Sequence, residues 1–320
     1  MRYDFLLFFF LMFFFFPIFF LPLFFIPMHG VPNMNMTYDP AARFEIDVSE
    51  VEYRRTPGGR ILMARIYQPR GEGTFPALLD LHGGAWNNKD RFANEPMDRA
   101  LAASGLLMVA IDMTLAPEAP YPASVQDANY AARWLKMTCA QWQGDATHLG
   151  LVGSSTGGHI AELLGMRPQD ARYNAIPLLA APHLDATVAY IAARSPISDP
   201  YARFLHAELR QREVMMNNTR GWFKPWESIF EANPQQILDR NEKVELPPLL
   251  IMQGGLDDNV KPAMQEKFAN AYRAAGGEVQ YQLYEGCDHE WIAEPGPETD
   301  RAHAMVKAFI VRQLQRLAAS

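Results

Sequence analysis

The sequence of 320 residues predicts an α/β fold with a mostly parallel sheet of eight strands and helices on both faces. Continuous apolar runs such as Pro76–Leu81 and Leu106–Asp112 are typical of strands that are covered on both faces. Amphipathic stretches such as Ala123–Lys136 lie between these runs. Strands that alternate with helices form parallel sheets, and a chain of this length can bury one large core.

The elements follow in a regular order along the chain. Residues 43–55 and 60–68 alternate loosely around the turn Thr56–Gly59, which predicts a hairpin. The other six strands are predicted at Pro76–Leu81, at Leu106–Asp112, at the run that starts at Leu149, and at Ala186–Ala193, Leu249–Gln253 and Val279–Tyr284. Helices are predicted at Asn94–Ser104, at Ala123–Lys136, from Ile160, between the last two strands, and at Ala302–Leu317.

Composition limits the kinds of molecule that the protein is expected to bind. The formal net charge of −7 and the pI near 5.6 argue against nucleic acid as the main partner. The two cysteines, Cys139 and Cys287, are too few for a disulfide framework and lack metal-ligand spacing, so we expect two unpaired thiols.

Residues 1–28 differ from the rest of the chain. Apart from two prolines, Phe5 to Ile26 is an unbroken apolar run that is long enough to span a bilayer. It is longer than the core of a usual signal peptide, and no small-residue cleavage site follows it. We therefore exclude the segment from the fold, treat residues 29–42 as a linker, and place the α/β domain at residues 43–318.

This apolar segment has three interpretations. It is a membrane anchor, an export signal, or spurious translation upstream of a true start at Met28, Met34 or Met36. Its length favours the anchor. The first two interpretations place the domain outside the cytoplasm and predict membrane contact through residues 5–26, whereas the third predicts a cytoplasmic protein.

Residues 196–245 interrupt the alternation of strands and helices between the sixth and seventh strands. The insertion is rich in large apolar side chains, among them Trp222, Phe223, Trp226 and Phe230. It is either additional core or a lid that walls an apolar pocket. We favour the lid, because insertions at the binding edge of an α/β sheet tend to determine specificity.

One stretch, Leu149–His159, carries a candidate nucleophile. A short apolar run leads into small residues that fit the pattern Gly-x-Ser-x-Gly, with Ser155 at its centre and then a helix. A serine on such a strained turn projects its hydroxyl above the edge of the sheet. Gly153 and Gly157 are expected because a side chain at either position would collide with the neighbouring strand or helix.

A serine nucleophile needs a histidine base and a carboxylate that orients the histidine. His289 follows the eighth strand, whereas His303 falls on the last helix and is expected at the surface. Asp257 follows the seventh strand and is the favoured acid. Its neighbour Asp258 is the rival, although it is placed to cap the next helix, and Asp199 is a more distant rival.

The oxyanion of the transition state needs fixed N–H donors. The segment His82–Trp86 ends the third strand, where such a loop belongs, and its glycines allow the backbone to approach a substrate carbonyl. We predict the N–H groups of Gly84, Ala85 and Thr156 as donors, with Gly83 as an alternative to either loop residue. The histidine that opens the segment is expected to brace the loop.

Taken together, these segments resemble the α/β-hydrolases of the hormone-sensitive-lipase-like and related esterase group. The matching motifs are H-G-G-A-W at 82–86, L-A-P-E-x-P-Y-P at 115–122, G-S-S-T-G at 153–157, G-x-x-D-x-x-V at 254–260 and D-H at 288–289. The resemblance covers about residues 43–318. The chain departs from the group in two ways: Ala85 and Trp86 stand where a third glycine is common, and the lid is internal rather than N-terminal.

The resemblance implies a carboxylic ester hydrolase that acts on a small-molecule ester through an acyl-enzyme, without metal or organic cofactor. In that reaction Ser155 attacks, His289 transfers the proton and Asp257 orients His289. We expect substrate contacts from Trp86, Trp222 and Trp291. Because the loop also resembles the H-G-G-x-W loop of arylformamidases, an arylformamidase or amidase with the same triad is the alternative. A non-catalytic binding protein is less favoured.

Overall fold

The computed structural model describes residues 38–319. The predicted apolar segment at 1–28 lies outside the described residues, as do residues 29–37 of the predicted linker. The strands are β1 (Ile46–Arg55), β2 (Ile61–Pro69), β3 (Phe75–Leu81), β4 (Leu107–Ile111), β5 (Gly144–Ser154), β6 (Tyr190–Arg194), β7 (Leu249–Gly254) and β8 (Val279–Tyr284). They form one sheet in the order β1-β2-β4-β3-β5-β6-β7-β8.

The sheet is parallel from β4 to β8, while β2 runs antiparallel to both of its neighbours. This confirms the predicted fold class, the eight strands and the hairpin at the N-terminal edge. Because β3, β5, β6, β7 and β8 are parallel, their carboxyl ends meet at one edge of the sheet, where α/β folds bind ligands. The loops that carry the candidate site residues leave the sheet at this edge.

Nine α-helices connect or flank the strands in the described chain. They are α1 (Glu95–Ala102), α2 (Ala123–Thr138), α3 (Thr156–Met166), α4 (Pro200–Leu209), α5 (Glu213–Trp222), α6 (Ser228–Glu231), α7 (Pro234–Asp239), α8 (Pro262–Ala274) and α9 (Pro297–Ala319). Within residues 38–319, no helix combines the length and the hydropathy that crossing a membrane requires.

The core lies in two layers, one on each face of the sheet. Side chains of β4 alternate between them, since Val109 belongs to the layer under α2, α3 and α8, whereas Met108 belongs to the layer under α1 and α9. All five residues of β4 are buried. This double coverage explains why the central strands read as continuous apolar runs rather than as alternating patterns.

Strand boundaries differ from the prediction where pairing depends on distant residues. β5 begins at Gly144, five residues before the apolar run at Leu149, because Gly144 and Asp145 pair with Phe75 and Pro76 of β3. The polar composition of this extension hides it from a search for apolar runs. The prediction of two unpaired thiols is confirmed, since both cysteines are free and buried.

The insertion at 196–245 contains α4, α5, α6 and α7. Its inner side chains belong to the core, and Trp222, Phe223, Ile229 and Ile237 are all at most 1% exposed. The insertion therefore contributes to the core, which was the first of its two interpretations. Its role as a lid stays a prediction.

Candidate active site

Ser155 occupies the turn between β5 and α3. Its backbone has φ 53° and ψ −115°, a combination that is costly for a residue with a side chain. Its N–H donates to the Arg194 carbonyl at 2.9 Å, and its carbonyl accepts from the His159 N–H at 3.1 Å. These hydrogen bonds hold the strained turn between the neighbouring strand β6 and the first turn of α3.

The two glycines of the turn are required by close backbone contacts. A Cβ atom on Gly157 would lie 1.9 Å from the carbonyl oxygen of Leu81 on β3. A Cβ atom on Gly153 would lie 2.7 Å from the carbonyl oxygen of Gly157 in α3. Both distances are shorter than any real contact, so the structure confirms the steric reason predicted for these glycines.

The structure brings Ser155, His289 and Asp257 together at the carboxyl edge of the sheet. The Nε2 atom of His289 lies 3.0 Å from the Oγ atom of Ser155. The Nδ1 atom of His289 lies 2.7 Å from the Oδ2 atom of Asp257. Because the carboxylate can only accept, Nδ1 carries the proton of the neutral imidazole, and Nε2 is left free to accept from the serine hydroxyl.

The carboxylate of Asp257 is held by several donors. Its Oδ1 atom accepts from the backbone N–H groups of Asn259 and Val260, each at 2.8 Å. Burial raises the pKa of this carboxyl, but the hydrogen bond and charge of His289 and these two N–H groups more than offset burial, so the pKa lies below its usual range. Asp257 is therefore ionised at neutral pH.

The rival acids have other partners. Asp258 was expected to cap the helix after it, but this prediction is wrong, because α8 has Lys261 at its N-cap and no side-chain cap. Asp258 instead pairs with Arg212 and Lys261. Asp199 caps α4, since its Oδ1 atom accepts from the Ala202 N–H at 3.0 Å. Neither of these two carboxylates is hydrogen-bonded to His289 in the described part of the chain.

The other two histidines considered lie apart from this arrangement. His303 is on α9 and is half-buried rather than at the surface. His82 is buried, and its Nδ1 atom lies 2.7 Å from the carbonyl oxygen of Gly83. Burial lowers the pKa of His82, so the ring stays neutral and is placed to brace the loop that it opens.

The loop from His82 to Trp86 passes directly beside the candidate nucleophile, Ser155. A Cβ atom on Gly83 would lie 3.3 Å from the Cβ atom of Ser155, so no side chain separates them. Gly84, Ala85 and Trp86 all have positive φ. Within residues 38–319, the backbone N–H groups of Gly84 and Ala85 have no hydrogen-bond acceptor. They are therefore available to a ligand, and Thr156 offers its N–H at the start of α3.

Two of the three predicted substrate contacts are buried in the structure, since Trp86 is 1% exposed and Trp222 is 0% exposed. Direct substrate contact by either ring has no exposed surface to support it and stays a prediction. Their rings stack at 5.1 Å, and the Trp86 indole N–H donates to the Nδ1 atom of His159 at 3.2 Å. Burial lowers the pKa of His159 to about 4, so this ring is neutral. The cluster anchors the loop from beneath.

The third predicted contact, Trp291, is half-buried and follows His289 closely in the chain. Its ring stacks on Tyr284 at 4.4 Å and packs with the core layer under α1 and α9. Substrate contact by Trp291 stays a prediction. Among residues 38–319, no group of three or more His, Cys, Asp or Glu side chains is placed to hold a metal ion.

Two residues that the sequence patterns did not single out hold the candidate triad in place. The Nε2 atom of Gln253 lies 3.1 Å from the Oδ2 atom of Asp257, and the guanidinium of Arg194 donates to the carbonyl oxygen of His289. Each is a polar residue at the end of an otherwise apolar strand, in Leu249–Gly254 and Tyr190–Arg194. A polar residue at the end of an apolar strand was a usable signal for a site residue, because the ends of these strands lie at the edge of the sheet where the site forms.

Comparison with known families identifies the fold. The profile of a family described as the alpha/beta hydrolase fold matches residues 78–293, about two thirds of the chain. This range contains the nucleophile turn, the candidate acid and the candidate histidine. It agrees with the sheet order described above and confirms the fold-level resemblance that the motifs predicted.

Several curated proteins are similar in sequence. Esterase LipC of Mycobacterium tuberculosis is 26% identical over 251 residues, which are 75% of this chain and 59% of LipC. Carboxylesterase NlhH of the same organism is 32% identical over 108 residues, or 33% of this chain and 34% of NlhH. The AB hydrolase superfamily protein C1039.03 of Schizosaccharomyces pombe is 28% identical over 281 residues, or 81% and 78% of the two chains. The matched region thus spans little more than half of LipC and about a third of NlhH.

Solved structures show the same fold. Inhibited esterase B from Lactobacillus rhamnosis matches with a TM-score of 0.69 and 21% identity, over 87% of this chain and 90% of that chain. The carboxylesterase EstE1, cloned from a metagenomic library, matches with a TM-score of 0.69 and 22% identity, over 85% and 91% of the two chains. At this level of identity the likeness establishes the fold.

Proposed function

The chain belongs to the alpha/beta hydrolase fold family, and we propose that it hydrolyses carboxylic esters through an acyl-enzyme formed on Ser155. One observation carries the proposal, namely the continuous hydrogen-bonded series from Ser155 Oγ through both ring nitrogens of His289 to Asp257 Oδ2. The printed names of the similar proteins, esterase and carboxylesterase, support the same reaction class.

Acylation begins with attack of the serine oxygen on the ester carbonyl. As the Oγ–C bond forms, the hydroxyl proton moves to Nε2 of His289, 3.0 Å away, and Asp257 stabilises the resulting imidazolium. The tetrahedral intermediate then breaks its bond to the alcohol oxygen, which takes the proton from Nε2. The products of this half-reaction are the free alcohol and the acyl-enzyme.

Deacylation repeats the sequence with water. Nε2 of His289 accepts a proton from the water as the water oxygen bonds to the acyl carbon, and it returns that proton to Ser155 Oγ when the acyl bond breaks. The N–H groups of Gly84, Ala85 and Thr156 bind the oxyanion in both halves. The support for this assignment is that the two loop N–H groups have no acceptor among residues 38–319 and that the loop lies against Ser155.

The insertion at 196–245 acts as a wall of the substrate site in this proposal. It is tied to the residue that follows the oxyanion loop, because the side-chain Nδ2 atom of Asn87 donates to the side-chain Oδ1 atom of Asn218 on α5 at 2.6 Å. A second tie is the stack of the Trp222 ring, at the end of α5, on the ring of Trp86 in the loop at 5.1 Å. Contacts of this kind couple the position of α5 to the loop that binds the oxyanion.

The formamidase alternative rests on the loop that contains Trp86, a residue that is 1% exposed. The test is a comparison of p-nitrophenyl esters from acetate to palmitate with aryl formamides, in parallel with labelling by a fluorophosphonate. Ester turnover with labelling that Ser155→Ala abolishes supports the proposal. Labelling with formamide turnover alone would instead establish an amidase, and no labelling would indicate a binding protein.

A further inference from the structure

Gln253, the penultimate residue of β7, lies directly against the candidate acid. The side chain is 0% exposed. Its Nε2 atom is within hydrogen-bond distance of three oxygens: the carbonyls of Gly254 and Val260, each at 3.0 Å, and Oδ2 of Asp257 at 3.1 Å. The amide therefore faces a buried cluster of acceptors that includes the carboxylate of the triad.

The orientation of this amide follows from its surroundings. All three neighbours are oxygens that only accept, so the NH₂ group must face them. If the amide were reversed, its own carbonyl oxygen would face three other oxygens. The Oε1 atom, on the other side, is buried without a hydrogen-bond partner among the described residues. Such an arrangement is costly, and this points to a role for the NH₂ group.

Gln253 completes the hydrogen bonding of the Asp257 carboxylate. Oδ1 accepts from the Asn259 and Val260 N–H groups, while Oδ2 accepts from His289 and from Gln253. A carboxylate has about four lone-pair sites, so all of them are used. The carboxylate cannot rotate about its χ2 angle without losing these bonds. Its Oδ2 atom also shares its negative charge between two donors.

We propose that Gln253 is a positioning residue that holds Oδ2 of Asp257 toward His289 and weakens its attraction for the imidazolium proton. A hydrogen bond to a carboxylate oxygen reduces the negative charge that this oxygen presents to its other partner. By this route Gln253 moderates the hydrogen bond between Oδ2 of Asp257 and the Nδ1 proton of His289. The kinetic consequence rests on the proposed function, whereas the effect on the histidine itself does not.

A structural role must be separated from this one, because the same amide also ties the carbonyls of Gly254 and Val260. The chain offers a matched control in Gln265, which is likewise 0% exposed. Its amide N–H donates to the Pro196 carbonyl and its Oε1 atom accepts from the Ser198 hydroxyl. It makes no hydrogen bond to the triad. Loss of its amide should destabilise the protein without changing His289.

The direct test is NMR of the Nδ1 proton of His289 in full-length wild type, Gln253→Met and Gln265→Met, with the resonance assigned by its absence in His289→Gln. The quantity compared is the chemical shift of the Nδ1 proton of His289 at one neutral pH. We expect Gln253→Met to move this resonance downfield, because Oδ2 of Asp257 then has one donor fewer and accepts more strongly from Nδ1. Gln265→Met should leave it unchanged. An unchanged or upfield resonance in Gln253→Met, or an equal downfield move in both variants, would overturn the proposal.

Two further measurements guard against ambiguity. If Gln253→Met does not fold, Gln253→Asn keeps a buried amide that is one methylene too short to reach Oδ2, and we expect the resonance to move downfield again. In the kinetic arm, Gln253→Met should lower kcat for p-nitrophenyl acetate about tenfold with KM little changed, because a less firmly held Asp257 orients His289 less well. If no ester is hydrolysed, the proposed function fails, and the NMR shift of the Nδ1 proton still decides the role of Gln253.

Discussion

The Nε2 atom of His289 lies 3.0 Å from the Oγ atom of Ser155, although 134 positions separate the two residues in the chain. The contact exists because β5 and β8 both end at the carboxyl edge of the sheet. The loop that carries His289 leaves the sheet at this edge. Ser155 is further tied to this edge by the hydrogen bond from its N–H to the Arg194 carbonyl, while the Arg194 guanidinium donates to the carbonyl of His289.

The first prediction concerns the nucleophile. Ser155→Ala should lower kcat on the order of 10⁶-fold, as loss of the nucleophile does in other triads. Ser154→Ala should retain most activity, because its hydroxyl donates to Asn94 at 2.9 Å and not to His289. Initial rates with p-nitrophenyl acetate at pH 7 measure both. The reverse order of effects would place the nucleophile at 154.

The second prediction separates the neighbouring acids. Asp257→Asn should cost about 10⁴-fold in kcat, because an asparagine no longer holds the proton on Nδ1 of His289. Asp258→Asn should cost little, since the side chain of Asp258 is 38% exposed and pairs with Arg212. Kinetics at pH 7 on variants with matched thermal melts test this. A large loss at 258 alone would transfer the role to Asp258.

The third prediction tests the buried position of Trp86. Trp86→Phe removes the indole N–H that His159 accepts, so the free energy of unfolding should fall by about 1–2 kcal/mol. Since Trp86 is 1% exposed, KM for esters should change by less than about twofold. Urea melts and Michaelis–Menten kinetics give the two numbers, with Trp291→Phe as the comparison. A large rise in KM with unchanged stability would restore Trp86 as a substrate contact.

The fourth prediction concerns the glycine of the nucleophile turn. Gly157→Ala should destabilise the protein by at least about 3 kcal/mol, because its Cβ atom would lie 1.9 Å from the Leu81 carbonyl oxygen. Gly221→Ala on α5 is the control, since a Cβ atom there meets nothing within 4 Å. That change should stabilise by about 0.5–1 kcal/mol. Chemical denaturation of both variants checks the pair, and a tolerated Gly157→Ala would contradict the geometry.

The fifth prediction is a pH dependence of stability. Burial raises the pKa of Asp80 from 3.8 to about 7, although the hydrogen bonds from Asn94 and the charge of Arg194 lower it. The folded state thus binds the proton more tightly than the unfolded state. The stabilisation is complete below about pH 4 and is lost as pH rises through about 7.

Asp80→Asn carries no charge in either state and should remove this part of the pH dependence. Its Tm should therefore fall less than that of wild type when pH is raised from about 4 to about 7, while the exposed change Glu72→Gln should follow wild type. Thermal melts across this range decide the matter. Parallel curves for wild type and Asp80→Asn would show that Asp80 is already ionised at pH 4.

The sequence by itself determined the order of strands and helices, the nucleophile turn and the triad candidates. These depend on local patterns: apolar runs for strands buried on both faces, and small residues where β5 meets α3. The positions of Asp257 and His289 after successive strands followed from the same patterns, because parallel strands bring their carboxyl ends to one edge.

Only the tertiary structure decided which neighbours these residues have. The hydrogen bonds that separate Asp257 from Asp258 depend on His289, 32 positions away. An aromatic side chain has the same sequence pattern whether it lies in a core or lines a pocket. The sequence therefore could not show that Trp86 and Trp222 stack on each other beneath the loop. Gln253 stood out only as a polar residue at the end of an apolar strand, which did not reveal its partners. The role of a buried amide depends on the oxygens that folding places around it. These oxygens belong to residues whose positions are set by the whole sheet.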